Sequence, residues 1–121
     1  MTSSRNTELL DMDADSYVSQ ELSRVKSLDL DSSQLESAKV VFSSSYDLMR
    51  ENAVKQKSKQ IGKKAGANNL MYYSVKKQID FEKILTKDQL QQYRLFPMGV
   101  LNDKQLAKHK KDLMKMGYSF E

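Results

Sequence analysis

A chain of 121 residues with 39% hydrophobic and 30% charged residues supports one small domain with a modest core. It has no cysteine, which excludes disulfides, a thiolate nucleophile and cysteine-bound metal. The formal net charge of +4 is unevenly spread, since residues 1–49 carry four Lys/Arg against nine Asp/Glu and residues 50–115 carry sixteen against six.

One proline, Pro97, and four glycines leave long stretches free for helices, and β-branched residues are too scattered for a sheet, so the expected fold class is all-α. No apolar run reaches the length needed to span a bilayer. Residues 1–12 are polar and lack periodicity, which reads as a flexible N-terminal arm. Met1 to Arg5 has no apolar run of the secretory type, so the expected location is cytoplasmic unless a leader was removed.

Asp13 or Asp15 can cap a first helix reaching about Lys26, with Tyr17, Val18, Leu22 and Val25 on one face. Leu30-Asp31-Ser32-Ser33-Gln34-Leu35 then reads as a helix start. The Asp31 carboxylate can accept from the amides of the first turn, Gln34 can reach back to the cap amide, and Leu30 and Leu35 occupy the hydrophobic-staple positions. The helix it opens carries Leu35, Ala38, Val41, Phe42, Met49 and Ala53 at helical spacing, with Tyr46 and Leu48 at the flanks. Beyond Val54 the pattern fades into the basic stretch Lys55, Lys57, Lys59, and Gly62 and Gly66 predict a bend or loop near Lys63 to Asn69.

From Leu70 to Ile84 a third helix is expected, with apolar residues on two sides. Met71, Tyr72, Val75 and Ile79 cluster on one, and Leu70, Tyr73, Phe81 and Ile84 nearly opposite. One side serves the core. The other meets a neighbouring helix of the same chain, a second subunit or a bound partner, which makes Met71, Tyr72, Val75 and Ile79 candidate partner-binding residues. Leu85-Thr86-Lys87-Asp88-Gln89-Leu90 repeats the capping pattern and opens a short helix bearing Leu90, Tyr93 and Phe96, stopped by Pro97-Met98-Gly99. Leu101-Asn102-Asp103-Lys104-Gln105-Leu106 repeats it a third time, ahead of a helix from Asp103 to about Met116 with Leu106, Leu113 and Met114 apolar and Gly117 at its end.

Catalytic and metal-binding signals are weak. His109 is the only histidine and lies within Lys108-His109-Lys110-Lys111, where positive charge opposes protonation and cation binding. Asp11, Asp13 and Asp15 alternate as in a calcium loop but lack its glycine and its terminal glutamate. Ser43-Ser44-Ser45 has no base nearby in sequence. No enzyme activity, metal or cofactor is implied. Lys57, Lys59, Lys63 and Lys64, with Lys55, form a basic segment that can contact acidic polypeptide or nucleic-acid phosphates.

The Leu-Thr-x-x-Gln helix start at Leu85, Thr86 and Gln89, with its variant at Leu30, Asp31 and Gln34, resembles the LTxxQ-motif family of Spy/CpxP-like periplasmic helical proteins. The similarity covers about residues 16–96. It implies an antiparallel helical hairpin with short flanking helices, a curved homodimer, and ATP-independent holding of unfolded or envelope proteins, with the motif residues structural. The expected organisation is an arm at 1–12, an LTxxQ-like helical domain at 13–96 and a C-terminal helical extension at 97–121. The expected function is chaperone-like polypeptide binding in the envelope stress response, with a small nucleic-acid or ribosome-associated protein as the alternative.

Overall fold

A computed structural model describes residues 9–97 and 99–120. It is all-α, with no strand among the described residues. Among the described residues a helical turn at 9–11 precedes α1 (Ala14–Arg24), α2 (Ser32–Lys57), α3 (Lys63–Glu82), α4 (Lys87–Tyr93) and α5 (Asp103–Lys115), with a 3-10 turn at Lys26–Leu28 between α1 and α2.

Each start has a local cause. Asp13 caps α1 by accepting from the Ser16 amide at 2.7 Å. Full capping boxes open α2 (Asp31, Gln34), α4 (Thr86, Gln89) and α5 (Asn102, Gln105), with each cap side chain taking the third helical amide and each Gln returning to the cap amide. The ends are equally specific. Gly117 has φ 102° after the Met116 cap, and the amides of Gly117 and Tyr118 bond to the carbonyls of Met114 and Leu113, which is a Schellman closure. The end of α2 uses the same closure with Lys59 in the left-handed position (φ 63°), its amide on Gln56 and that of Gln60 on Lys55.

The turn therefore falls at 58–62 rather than at Lys63–Asn69, where α3 is already helical. Gly66 is buried within α3 because the chains approach there. A methyl group on it would overlap the side-chain amide of Gln56, and its carbonyl accepts from Asn52 Nδ2 at 2.9 Å.

Helices α2 and α3 run back along each other from that turn, with Asn52 beside Gly66 near it and Phe42 against Phe81 (5.2 Å between rings) far from it. Helix α1 packs chiefly on α2, placing Tyr17 beside Tyr46. The main core gathers Tyr17, Val25, Leu28, Ala38, Phe42, Tyr46, Met49, Phe81 and Tyr93. Leu9 is 1% exposed in that same core and the Met12 carbonyl accepts from the Tyr46 hydroxyl, so residues 9–12 are anchored and do not belong to a loose arm. Residues 1–8 of the expected arm lie outside the described residues.

A second, smaller core lies on the other side of α3, where Val75 meets Leu106 and Leu113 with Tyr72, Ile79, Leu101, Tyr118 and Phe120 around them. The C-terminal extension is thus folded back onto the helical domain. Met114, expected among the apolar contacts of α5, is 58% exposed instead, because Leu106 and Leu113 already define the buried stripe.

Candidate binding surfaces

Of the expected site residues, the capping motifs turn out to be joined to one another. Gln34 Nε2 donates to Gln89 Oε1 at 2.6 Å and to the Ile84 carbonyl at 3.1 Å, while Gln89 Nε2 donates to the Leu28 carbonyl at 3.0 Å and to Gln34 Oε1 at 3.3 Å. Each amide also accepts from its own cap amide, Asp31 N for Gln34 and Thr86 N for Gln89, both at 2.9 Å. The start of α2, the start of α4 and the carbonyls that end the two preceding elements are therefore one hydrogen-bonded junction. Leu30 and Leu85 pack beneath it on the main core. The third box stands apart: Gln105 is exposed and serves only its own helix. Its neighbour Leu101 is held instead by Gln78, whose side-chain amide bonds to both the Leu101 amide (3.0 Å) and carbonyl (2.8 Å).

The candidate partner-binding face of α3 is mostly occupied by the chain itself. Val75 is fully buried and Tyr72 and Ile79 are half-buried under α5 and the tail, with the Tyr72 ring stacked on Tyr118 at 4.7 Å. The Tyr72 hydroxyl donates to the Ser119 carbonyl and the Tyr118 hydroxyl to Asn69. Of that set only Met71, 40% exposed, is left open. The reason is the spacing of Leu106 and Leu113, two helical turns apart, which gives α5 a stripe matched to the second face of α3.

Open apolar surface lies elsewhere, on α2. Val40 (66% exposed) and Leu48 (38%) border a groove of about 290 Å³ between α2 and α3, completed by Val41, Ser44, Ser45, Tyr73, Lys76, Lys77 and Asp80. The Ser45 hydroxyl is buried in the groove wall and has no hydrogen-bond partner among the described residues. Burial, reinforced by the charge on Glu51, pushes the Tyr73 hydroxyl above its ordinary range, and the charged groups of the groove are Lys76, Lys77 and Asp80 along its α3 side. Leu35 and Val54, 36% and 40% exposed, lie outside the groove: at 100° per residue Leu35 falls on nearly the opposite side of α2 from Val40 and Leu48, and Val54 roughly 80° round from them. Sequence periodicity identified the flank position of Leu48, whereas Val40 gave no signal because it points away from the core-facing arc of α2.

Two polar clusters were missed. Glu21 is buried between Lys77 and Arg24, each 3.5 Å away, and Lys77 also donates to the Tyr17 hydroxyl at 3.1 Å. With Phe42, Phe81, Tyr93 and Phe96 they line a second cleft of about 200 Å³, whose charges are met within the cleft. An acid in the Tyr17/Val18/Leu22/Val25 stripe was the available signal. Arg94 forks onto Glu82 (2.5 and 2.7 Å) and reaches Asp103 at 2.6 Å, bracing α4 against α3 and α5, and Glu82 holds its guanidinium firmly protonated. These are internal ties and present no reactive group to solvent.

Around the α2–α3 turn Lys57, Lys59, Lys63 and Lys64 are exposed, and none has an ion pair among the described residues, whereas Lys55 is paired with Glu51 at 3.1 Å. Half-buried His109 has no such metal company: among the described residues no group of three or more His, Asp or Glu is placed to hold an ion. No described helix is long and apolar enough to cross a membrane. No family model, curated protein or solved structure matches this chain, and the likeness to the LTxxQ proteins rests on the motif residues themselves.

Proposed function

We propose that this protein is a non-enzymatic, chaperone-like binder of other polypeptides, of the LTxxQ type, acting through the α2–α3 groove. The observation that carries the reading is the exposure of Val40 and Leu48 beside a largely apolar groove bordered on α3 by Lys76, Lys77 and Asp80. Its occupant is a short apolar polypeptide segment with acidic flanks. Apolar side chains fill the space between Val41, Leu48 and Tyr73, and the acidic flank extends past Val54 to the unpaired lysines of the turn.

Size favours transient contact. From Val40 to Leu48 the groove is roughly 12 Å long and about 10 Å wide, hence on the order of 120 Å² per molecule, well below the roughly 800 Å² per partner of a stable interface. That suits reversible holding of unfolded segments better than a permanent homodimer built on this face. An envelope location and a role in stress response belong to the same proposal and follow from the LTxxQ resemblance.

The test is suppression of light scattering from an unfolding model protein. Near-stoichiometric suppression is expected, and Val40→Asp with Leu48→Asp should abolish it while helicity is retained. A folded sample that fails to suppress, or groove variants that suppress as well as the parent, would overturn the reading.

A further inference from the structure

Helix α5 carries a row of cations that neither the groove nor the fold uses. Lys104, Lys108, Lys111 and Lys115 are spaced by four, three and four residues, and at 100° per residue they fall within an arc of roughly 60°. Leu106 and Leu113 point the opposite way, into the second core. The row is therefore fixed outward by the packing of the helix, and all four lysines are exposed. It extends for roughly 16 Å in a straight line.

Along the middle of α2 and in α3 beyond its first turn the lysines are paired, whereas Lys57, Lys63, Lys64 and Lys87 at helix ends are not, among the described residues. Lys39, Lys55, Lys76, Lys77 and Lys83 each have a carboxylate within 4 Å, at 3.3, 3.1, 3.2, 3.5 and 3.7 Å. Among the described residues the four lysines of the row have none. Asp103 is taken by Arg94 at 2.6 Å, and Asp112 projects to the side of the row. Like charges three and four residues apart repel along a helix, and Asp112, four after Lys108 and three before Lys115, is the one acid of α5 placed to offset part of that repulsion. Leu101 is bonded to Gln78 and Tyr118 to Asn69, so α5 runs back along α3 toward the basic turn and the positive field continues in that direction.

We propose that this row binds double-stranded nucleic acid through its phosphate backbone, without regard to sequence. A duplex carries a charge about every 1.7 Å of its axis with both strands counted, and a row roughly 16 Å long can lie along a stretch of that backbone with no base contact required. Single strands are a poorer fit, because their binding draws on aromatic stacking and the nearby Tyr118 and Phe120 are packed against Tyr72. An anionic bilayer is also a poorer fit, because α5 has turned its Leu106/Leu113 stripe onto α3 and leaves exposed only Met114 and Met116, which flank the row on opposite sides and form no continuous apolar face. This surface is separate from the α2–α3 groove, and neither proposal depends on the other.

The experiment is titration of a fluorescent mixed-sequence 20-base-pair duplex with the full chain between 50 and 200 mM KCl. Four phosphate contacts predict a slope of log affinity on log salt of about −3.6, or about 150-fold weaker binding across that range. Lys108→Gln with Lys111→Gln should reduce the slope to about −1.8, and Lys57→Gln with Lys59→Gln should leave it at about −3.6. Absence of binding at 50 mM KCl by a folded sample would overturn the proposal. So would a slope unmoved by the α5 pair, a slope lost with the turn pair, or binding to anionic-lipid vesicles but not to the duplex.

Discussion

The side-chain amides of Gln34 and Gln89, 55 residues apart in sequence, bond to each other while each completes the capping box of its own helix. The two helix starts are consequently coupled. Gln34→Ala and Gln89→Ala should each cost about 1–3 kcal/mol, and a double-mutant cycle in urea should return a coupling of at least about 0.5 kcal/mol. Strict additivity would show that the two boxes act independently. Gln105→Ala, at the isolated third box, should show no coupling to either.

Lys59 holds the left-handed position that closes α2, at φ 63°. A Cβ is unfavourable there, so Lys59→Gly should raise stability by about 0.5–1 kcal/mol. The chemical-denaturation midpoint, with an unchanged slope, is the measurement. Lys63→Gly, inside the first turn of α3, should destabilise instead.

Alkaline stability should be set in large part by Tyr93. Burial, and then the charges of Glu82 and Glu21, raise its folded-state pKa above the ordinary 10.0. A raised pKa means that the folded state keeps the proton longer than the unfolded one, so this contribution is complete below about pH 10 and is lost as pH rises above it. Tyr93→Phe should flatten the loss of stability above pH 10. Asp13 works in the opposite direction at the acid end. Its carboxylate pKa is lowered by the Ser16 amide, so its cap is present above the ordinary 3.8 and is lost as pH falls below it.

Ser45 buries a hydroxyl that has no partner among the described residues. Ser45→Ala should therefore be stabilising, by about 1 kcal/mol, in thermal or urea unfolding. A loss of stability would mean that the hydroxyl has a partner in solution.

The helix starts were legible in the sequence because capping is local, with cap and Gln three residues apart. Their junction was not, because nothing in the Leu-x-x-x-Gln-Leu pattern says which box meets which. Gly66 misled for a related reason: glycine weakens a helix in isolation, yet here it permits the approach of Gln56 and Asn52 from α2. Periodicity revealed two apolar faces on α3, and a stripe of Leu106 and Leu113 on α5, without pairing them. The α2–α3 groove was least legible, since an open surface is defined by what fails to cover it, and single-helix patterning contains no such information.

Helix α3 forms a wall between two cores of unequal size, the larger around Phe42 and Phe81, the smaller around Val75 and Leu106. Opening the smaller one need not disturb the larger. Amide exchange should therefore divide the molecule into two tiers, with α5 exchanging through a partial opening while the centre of α2 exchanges only when the whole chain unfolds.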